Sequence, residues 1–405
     1  MNNIYKVILF LGCNLLVLPN DLLAYTHTTG RNFNYTVKNH ESDSVKDYPV
    51  IIQLTDKASQ EQWQVIDQHG HVIPSQLDDL NGDGFFDELF CLVQLPPRHE
   101  AKLKIRKNHT APIVPIQPRV RAQMYLKTKD SLVSLTEYSS FKDDMYYQLY
   151  HHGPAFESEL VAYRLYSDRK QTVDIYGKKM PRLELEACKW YPNDEQLALG
   201  FGDDVLRVQG SVGVGTLKPW DATKKKAVHI EPMQKRTLRI VSRGPLRTIV
   251  EIEVLGWECQ GQTVDMLSRF TLNGGSRTVM AEHFLKAAHP QALQLVTGVQ
   301  KLPNDTCYVD GKGLLAAWGT DWPVNDSIKY AKETVGLSVF VPSVYCGEAV
   351  VDKSNHLYFV KPDANGYLKY YFTFYSAKEQ LPIRKAEDFF EWIVAVYAEP
   401  KIIKD

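Results

Sequence analysis

With 405 residues, the chain needs one large buried core or two linked ones. Its 47 Lys and Arg against 48 Asp and Glu leave a formal net charge of -1, which removes the broad basic field that nucleic-acid binding requires. Hydrophobic residues at 44% and charged residues at 23% lie near globular averages, excluding wholesale disorder and a multi-span membrane protein.

The chain opens with Lys6 after a polar start, an apolar run from Val7 to Leu18 broken by Asn14, and Leu22-Leu23-Ala24. Residues 1–24 therefore read as a secretory signal, and the mature chain is expected to be periplasmic or secreted, without a transmembrane span. Leu11-Gly12-Cys13 resembles a lipoprotein cleavage box, so lipid anchoring at the cell surface is the alternative, although cutting there leaves an apolar run of only about six residues. Beyond Cys13 stand Cys91, Cys188, Cys259, Cys307 and Cys346, with no CxxC among them. No zinc-ribbon or redox motif is present, and the thiols are expected to be buried as small core side chains.

Residues 32–107 have the length of one small β-sandwich. Asn108 to Val120 lacks a period and carries Pro112, Pro115 and Pro118 at intervals of three, so 108–120 is placed as a Pro-rich linker. Residues 121–400 follow as a large sandwich domain. Periodicity after residue 45 is two rather than 3.6, as in Val250-Glu251-Ile252-Glu253-Val254, so the fold class is all-β and antiparallel. No strand–helix alternation, GxGxxG or GxxxxGK[ST] occurs, and neither a nucleotide nor a redox cofactor is expected. One helix is predicted near the end, where Phe389, Trp392, Ile393, Val396 and Tyr397 share a face and should pack on a sheet as a lid or brace.

Asp79-Leu80-Asn81-Gly82-Asp83-Gly84-Phe85-Phe86-Asp87 matches D-x-N-x-D-G, a spacing of oxygen ligands that suits calcium. Asp79, Asn81, Asp83 and Asp87 are thus candidate ligands of a structural calcium ion. The twelfth position is Phe90 instead of Glu, so the loop is no EF-hand, and a polar hairpin turn explains it as well.

The densest group of acids, bases and sugar-contacting side chains runs from His151 to Lys179. On a strand, alternate side chains share a face, so Glu157, Glu159 and Tyr163 are expected on one surface. Candidate catalytic residues are His152, Glu157, Glu159, Tyr163 and Asp203. Candidate substrate-binding residues are His151, Arg164, Tyr176, Lys178, Trp220, Arg247, Asp321 and Trp322, since aromatic rings stack on sugars and guanidinium groups clamp carboxylates. An amphipathic strand, a core tryptophan or a solvated arginine would explain each singly. G-x-S-x-G and H-E-x-x-H are absent, so serine-esterase and zincin chemistry lack their signatures.

Gly153-Pro154-Ala155-Phe156-Glu157-Ser158-Glu159, Val173-Asp174-Ile175-Tyr176-Gly177, Gly202-Asp203-Asp204-Val205-Leu206 and Gly244-Pro245-Leu246-Arg247 resemble the bacterial domain-of-unknown-function family 4861. Pro74 to Gly84 is also similar to exo-rhamnogalacturonan-lyase-like proteins. The resemblance implies an exported component of polysaccharide utilisation with a mutarotase-like β-supersandwich as its large domain, and it carries over no catalytic residue. The partner expected is an acidic oligosaccharide. In a lyase, Arg164 or Arg247 would neutralise a uronate while His152 or Tyr163 moves the proton. In a hydrolase, Glu159 and Asp203 would form the carboxylate pair. A non-catalytic carbohydrate-binding protein is the rival reading.

Overall fold

The computed structural model describes residues 27–28, 32–58, 63–107, 115–141, 145–328, 330–380, 383–397 and 402–404. The signal expected over 1–24, Cys13 and residues 108–114 of the expected linker lie outside them. Val120 already belongs to a strand, Val120–Gln123.

The described chain is all-β, and its strand pairings are antiparallel except that His27–Thr28 runs parallel to Gln53–Leu54. Two sheets face each other at the N-terminal end. One holds Val45–Ala58, Phe86–Leu95 and Ser75–Asp78; the other holds Asn32–Asn39, Glu100–Lys107 and Trp63–Ile66. Alternate residues of both, including Val37, Val50, Ile52, Val65, Cys91 and Ile105, close the space between them. The last described strand, Ile402–Lys404, returns to this sandwich and pairs with Val37–Asn39.

The rest is built on a nine-stranded sheet whose order is Glu137–Ser140, Lys235–Arg243, Arg247–Cys259, Gln262–Asn273, Val279–Lys286, Tyr367–Ser376, Glu333–Phe340, Leu314–Asp321 and Thr306–Val309. Two five-stranded sheets cover one of its faces. The main core lies between the three: Val250, Ile252 and Val254 from the large sheet meet Phe156, Tyr163 and Ile175 from one partner and Leu295, Val299 and Tyr358 from the other. Glu251, expected on a solvated face, is also buried, because it pairs with Arg269 at 2.7 Å on a covered surface.

The opposite face carries two neighbours. The N-terminal sandwich sets Ile51 and Phe90 against Leu246, Met280 and Tyr371. The helix Ala386–Tyr397 packs Phe389 and Ile393 on Leu314, Ala316, Trp318 and Tyr375. Gly336 lets the helix approach this closely, since a Cβ there would stand 2.6 Å from the Phe389 ring. Val396, expected on the packed face, stays exposed.

Candidate functional site

One five-stranded sheet, ordered Asp203–Asp204, Val173–Gly177, Ala162–Leu165, Ala155–Ser158 and Val120–Gln123, has two very different faces. Its register sets Phe156 opposite Tyr163, Glu157 opposite Ala162, Arg164 opposite Asp174 and Tyr176 opposite Asp204. Cross-strand partners share a face. Phe156, Tyr163, Leu165, Val173 and Ile175 therefore enter the main core, while Glu157, Arg164, Asp174, Tyr176 and Asp204 point away from it. Residues 178–201 fold over this second face, planting Leu185, Cys188 and Trp190 on Ala155, Ala162 and Tyr176.

Arg164 is the centre of the covered face. It pairs with Asp174, donates to the Tyr166 hydroxyl at 2.8 Å and the Tyr191 hydroxyl at 3.0 Å, and reaches Asp204 Oδ2 at 3.4 Å. Its guanidinium carbon lies 4.4 Å from the Trp190 ring centroid and 4.7 Å from that of Tyr166. Tyr166 also donates to Asp174 at 2.9 Å, and the Trp190 indole N–H to Asp204 at 3.4 Å. Pairing is nevertheless incomplete: Arg164 Nε and Asp204 Oδ1 are buried without a hydrogen-bond partner. Burial and the Asp174 charge hold the Asp204 carboxyl well above the usual range, outweighing the pull of Arg164.

Tyr146, Tyr147, His152 and Tyr191 stand beside this cluster. Tyr191 is 44% exposed and Tyr147 78%. The His152 ring stacks on Tyr146 at 3.6 Å between centroids and lies 6.0 Å from Tyr166. Its Nδ1–H donates to the Tyr146 carbonyl at 3.1 Å, which leaves Nε2 as the unprotonated nitrogen of the neutral ring. Burial lowers His152 to about 4, against the help of that carbonyl. His151 beside it is buried and lowered to about 3, first by burial and then by the Arg164 charge. Three successive residues, His151, His152 and Gly153, hold φ of 43°, 69° and 154°. Glycine is needed at 153, where a Cβ would sit 1.9 Å from the Leu165 carbonyl oxygen. Such a strained pair of histidines belongs to a constellation the surrounding fold over-determines.

The remaining expectations sort by register and partner. Glu157, Lys178 and Tyr176 share the covered face but serve it structurally: Glu157 accepts from Lys178 and from the backbone of Glu184 and Leu185, and Tyr176 donates to Glu184 at 2.9 Å. Glu157 and Tyr163 do not share a face, because the turn between their strands shifts the register by an odd count. Tyr163 is a core residue, its hydroxyl donating to the Arg277 carbonyl at 2.6 Å and its ring wedged between Phe372 and Phe374. Glu159 lies beyond the strand end and binds Arg119 at 2.6 Å, which also grips Asp47 at 2.6 Å. Asp203 is paired opposite Gly177, adjacent to Asp204 and so facing the other way, toward Glu333. The expected Glu159–Asp203 carboxylate pair is thereby replaced by Asp174 and Asp204.

Arg247 is no substrate clamp, since it is buried against Asp78 at 2.6 Å and Glu88, between the N-terminal sandwich and the nine-stranded sheet. Trp220 lies elsewhere, lining a cavity of about 500 Å³ with His229 and Glu231. Asp321 pairs with Arg207 at 3.7 Å and Trp322 lies under Lys332. In the Asp79–Asp87 loop, Asp79 accepts from Gly82 and Gly84, Asn81 from Asp83, and Asp87 from Leu80. Among the described residues, no group of three or more His, Cys, Asp or Glu is arranged to hold a metal ion.

Asp174, Tyr166, Trp190, Tyr191 and Asp204 were not among the residues picked from sequence. Asp174 had a usable signal, an acid between Val173 and Ile175 in a strand buried on both faces.

The family model described as Domain of unknown function (DUF4861) matches residues 37–400. No curated protein matches the chain in sequence. Among solved structures, it is similar to a protein in the glycosyl hydrolase family 38 from Enterococcus faecalis, at 8% identity and a TM-score of 0.48, over 92% of this chain and 47% of that one. It is also similar to an alpha-mannosidase from Enterococcus faecalis V583, at 10% identity and a TM-score of 0.46, over 93% of this chain and 46% of the other. The chain spans about half the length of either protein.

Proposed function

The chain belongs to the DUF4861 family, and from that premise we propose that it is an exported carbohydrate-active enzyme cleaving uronate-containing oligosaccharides, with Asp204 as proton donor. The observation that carries this reading is the buried pair of carboxyls, Asp174 and Asp204, gathered on Arg164 next to the exposed ring of Tyr191, with burial and Asp174 raising Asp204 well above the usual range. A carboxyl raised in this direction is what a general acid needs to protonate a glycosidic oxygen as it leaves. His152, neutral and with Nε2 unprotonated, supplies the base. Asp174 is occupied by Arg164, Tyr166 and its neighbour's amide, so its role is to hold Arg164 and raise the Asp204 carboxyl. Tyr146, Tyr147 and Tyr191 form the platform on which a sugar ring stacks.

The raised Asp204 carboxyl favours hydrolysis over elimination, and Arg164 is already neutralised by Asp174 and is not free to clamp a uronate. The exposed tyrosines by themselves favour the second reading, a binding protein without turnover. Purified protein incubated with a panel of uronate-containing oligosaccharides separates the three. New reducing ends without ultraviolet absorbance are expected, and absorbance from an unsaturated uronate would mean a lyase. A raised melting temperature without product would mean a binding protein. Asp204→Asn is expected to lower turnover by about 10²–10⁴-fold. That the Asp79–Asp87 loop binds calcium is a separate proposal resting on its spacing alone; calcium should raise the melting temperature, and a flat titration removes it.

A further inference from the structure

The cavity beside Trp220 is separate from the Arg164 cluster, yet one tight turn touches both. Residues 168–171 form it, closed by the Gln171 amide donating to the Asp168 carbonyl at 3.1 Å. Lys170 Nζ lies 5.6 Å from the Tyr166 ring centroid and 5.8 Å from that of Tyr146, the ring stacked on His152. Arg169, next to it, takes the Ile230 amide on its carbonyl at 2.9 Å and donates to Glu231 of the cavity at 3.4 Å. The Arg169 side chain is 56% exposed, so the surface joining the two places is open to solvent.

At about 500 Å³ the cavity has the size of a small-ligand site. Its walls come from the strand Lys218–Asp221, residues 228–231, residues 257–260 and the short turn Pro290–Ala292. Gln260 fixes them together: its Nε2 donates to the Trp220 and Gln294 carbonyls at 3.1 and 3.0 Å, and its Oε1 accepts from the Gln294 amide at 2.8 Å. Phe359 braces the Trp220 ring, centroid to centroid at 5.4 Å. Within this fixed frame His229 has capacity left, since its Nδ1 is buried without a hydrogen-bond partner. Burial, ahead of the Lys218 and Arg169 charges, lowers His229 to about 4, which leaves the ring neutral near pH 7. Asp221, Glu231 and Glu258 line the cavity, and among the described residues no Lys or Arg does. A neutral imidazole and carboxylates accept hydroxyl groups, whereas three acids disfavour a further carboxylate. Trp220 and Val228 add an apolar wall for the C–H face of a sugar.

We infer that the Trp220 cavity is a distal subsite for a neutral sugar unit of the same oligosaccharide that occupies the Arg164 site, the chain crossing over residues 168–171. The inference rests on the carbohydrate function proposed above and adds the class of substrate, a chain of several units in which a neutral sugar accompanies the uronate. Two linked contacts on one chain raise its affinity above that of either alone.

The probes are oligosaccharides of two to eight units alternating galacturonate with rhamnose, and galacturonate-only chains of equal length. They are titrated calorimetrically into the full chain carrying Asp204→Asn, which holds turnover down. Affinity for alternating chains should rise about tenfold once they are long enough to cross the turn, and galacturonate-only chains should lack that rise. Ala292→Trp fills the cavity from an exposed position, and His229→Ala removes the unpartnered ring. Either should abolish the rise while leaving the affinity for two-unit chains within about twofold. A rise that persists in folded Ala292→Trp overturns the subsite alone, and an equal rise for galacturonate-only chains overturns its neutral ligand. Should Ala292→Trp fail to fold, His229→Ala decides by the same criterion. No binding at any length by the parent would overturn the carbohydrate function and the subsite with it.

Discussion

Arg247 and Arg164 are both buried, each reaches two carboxylates, and each lies over an aromatic ring, Phe90 at 4.7 Å for one and Trp190 at 4.4 Å for the other. Their difference is in completeness. Around Arg247, Gln76 accepts from the amides of Leu246 and Arg247 and donates to Asp78, Ser242 and the Arg247 carbonyl. The network ties the N-terminal sandwich to the nine-stranded sheet. Around Arg164, one guanidinium nitrogen and one Asp204 carboxyl oxygen are left without partners, that carboxyl is raised well above the usual range, and exposed tyrosines stand at the edge. A saturated buried network rigidifies, whereas an unsaturated one beside an accessible rim keeps capacity for a ligand.

The comparison breaks most visibly at Arg247. Arg247→Ala leaves Asp78 and Glu88 buried without their cation and should cost about 3–5 kcal/mol in chemical denaturation; a loss under about 1 kcal/mol would mean the network is not what joins the two parts. Acidification comes next, and it sharpens the Arg164 side. His151 has a folded value of about 3 against an ordinary one near 6.5, so between these limits the unfolded chain binds more protons. Its contribution is intact above pH 6.5 and is lost as pH falls, by roughly 2 kcal/mol on reaching pH 5. Denaturation midpoints measured across this range should show the slope, and His151→Gln should flatten it.

Asp204→Asn should change stability by no more than about 1 kcal/mol at pH 7, because the amide keeps the shape and an oxygen to accept from Trp190 while carrying no charge to bury. Its sign follows from the raised carboxyl. The unfolded chain releases this proton at lower pH than the folded one, so wild-type stability falls as pH rises above about 4, and the variant should match or exceed it at pH 8. The smallest expected effect is that of Tyr147→Ala, within about 0.5 kcal/mol for a side chain so exposed. Its oligosaccharide affinity should nevertheless drop in a fluorescence titration. Unchanged affinity would remove Tyr147 from the platform.

Much of the fold was legible in the residue pattern. Val250, Ile252 and Val254 alternate as buried strand positions must, and Phe389 and Ile393 mark the packed side of the helix at its own period. The site was legible only as a region. Asp203 was chosen where Asp204 belongs, because two adjacent acids look alike until a strand partner says which one shares a face with Tyr176. Arg164 was picked as a substrate-binding residue and instead centres a buried cluster, whose members Trp190 and Tyr191 arrive from a segment whose φ at Lys189 and Trp190, 48° and 79°, no propensity for those residues suggests. Cys307 was misplaced in the core since its short strand lies at an open sheet edge, a position set by which strands fail to pair with it.

Local sequence by itself determined the strand period and the amphipathic helix near the end, because each depends on side-chain alternation within a few residues. Tertiary structure alone decided which side of each strand became core, which arginine became a clasp between sandwiches and which kept an incomplete shell. Those outcomes depend on registers between strands and on layers from distant parts of the chain, and a shift of one residue in a register turns every side chain to the opposite face.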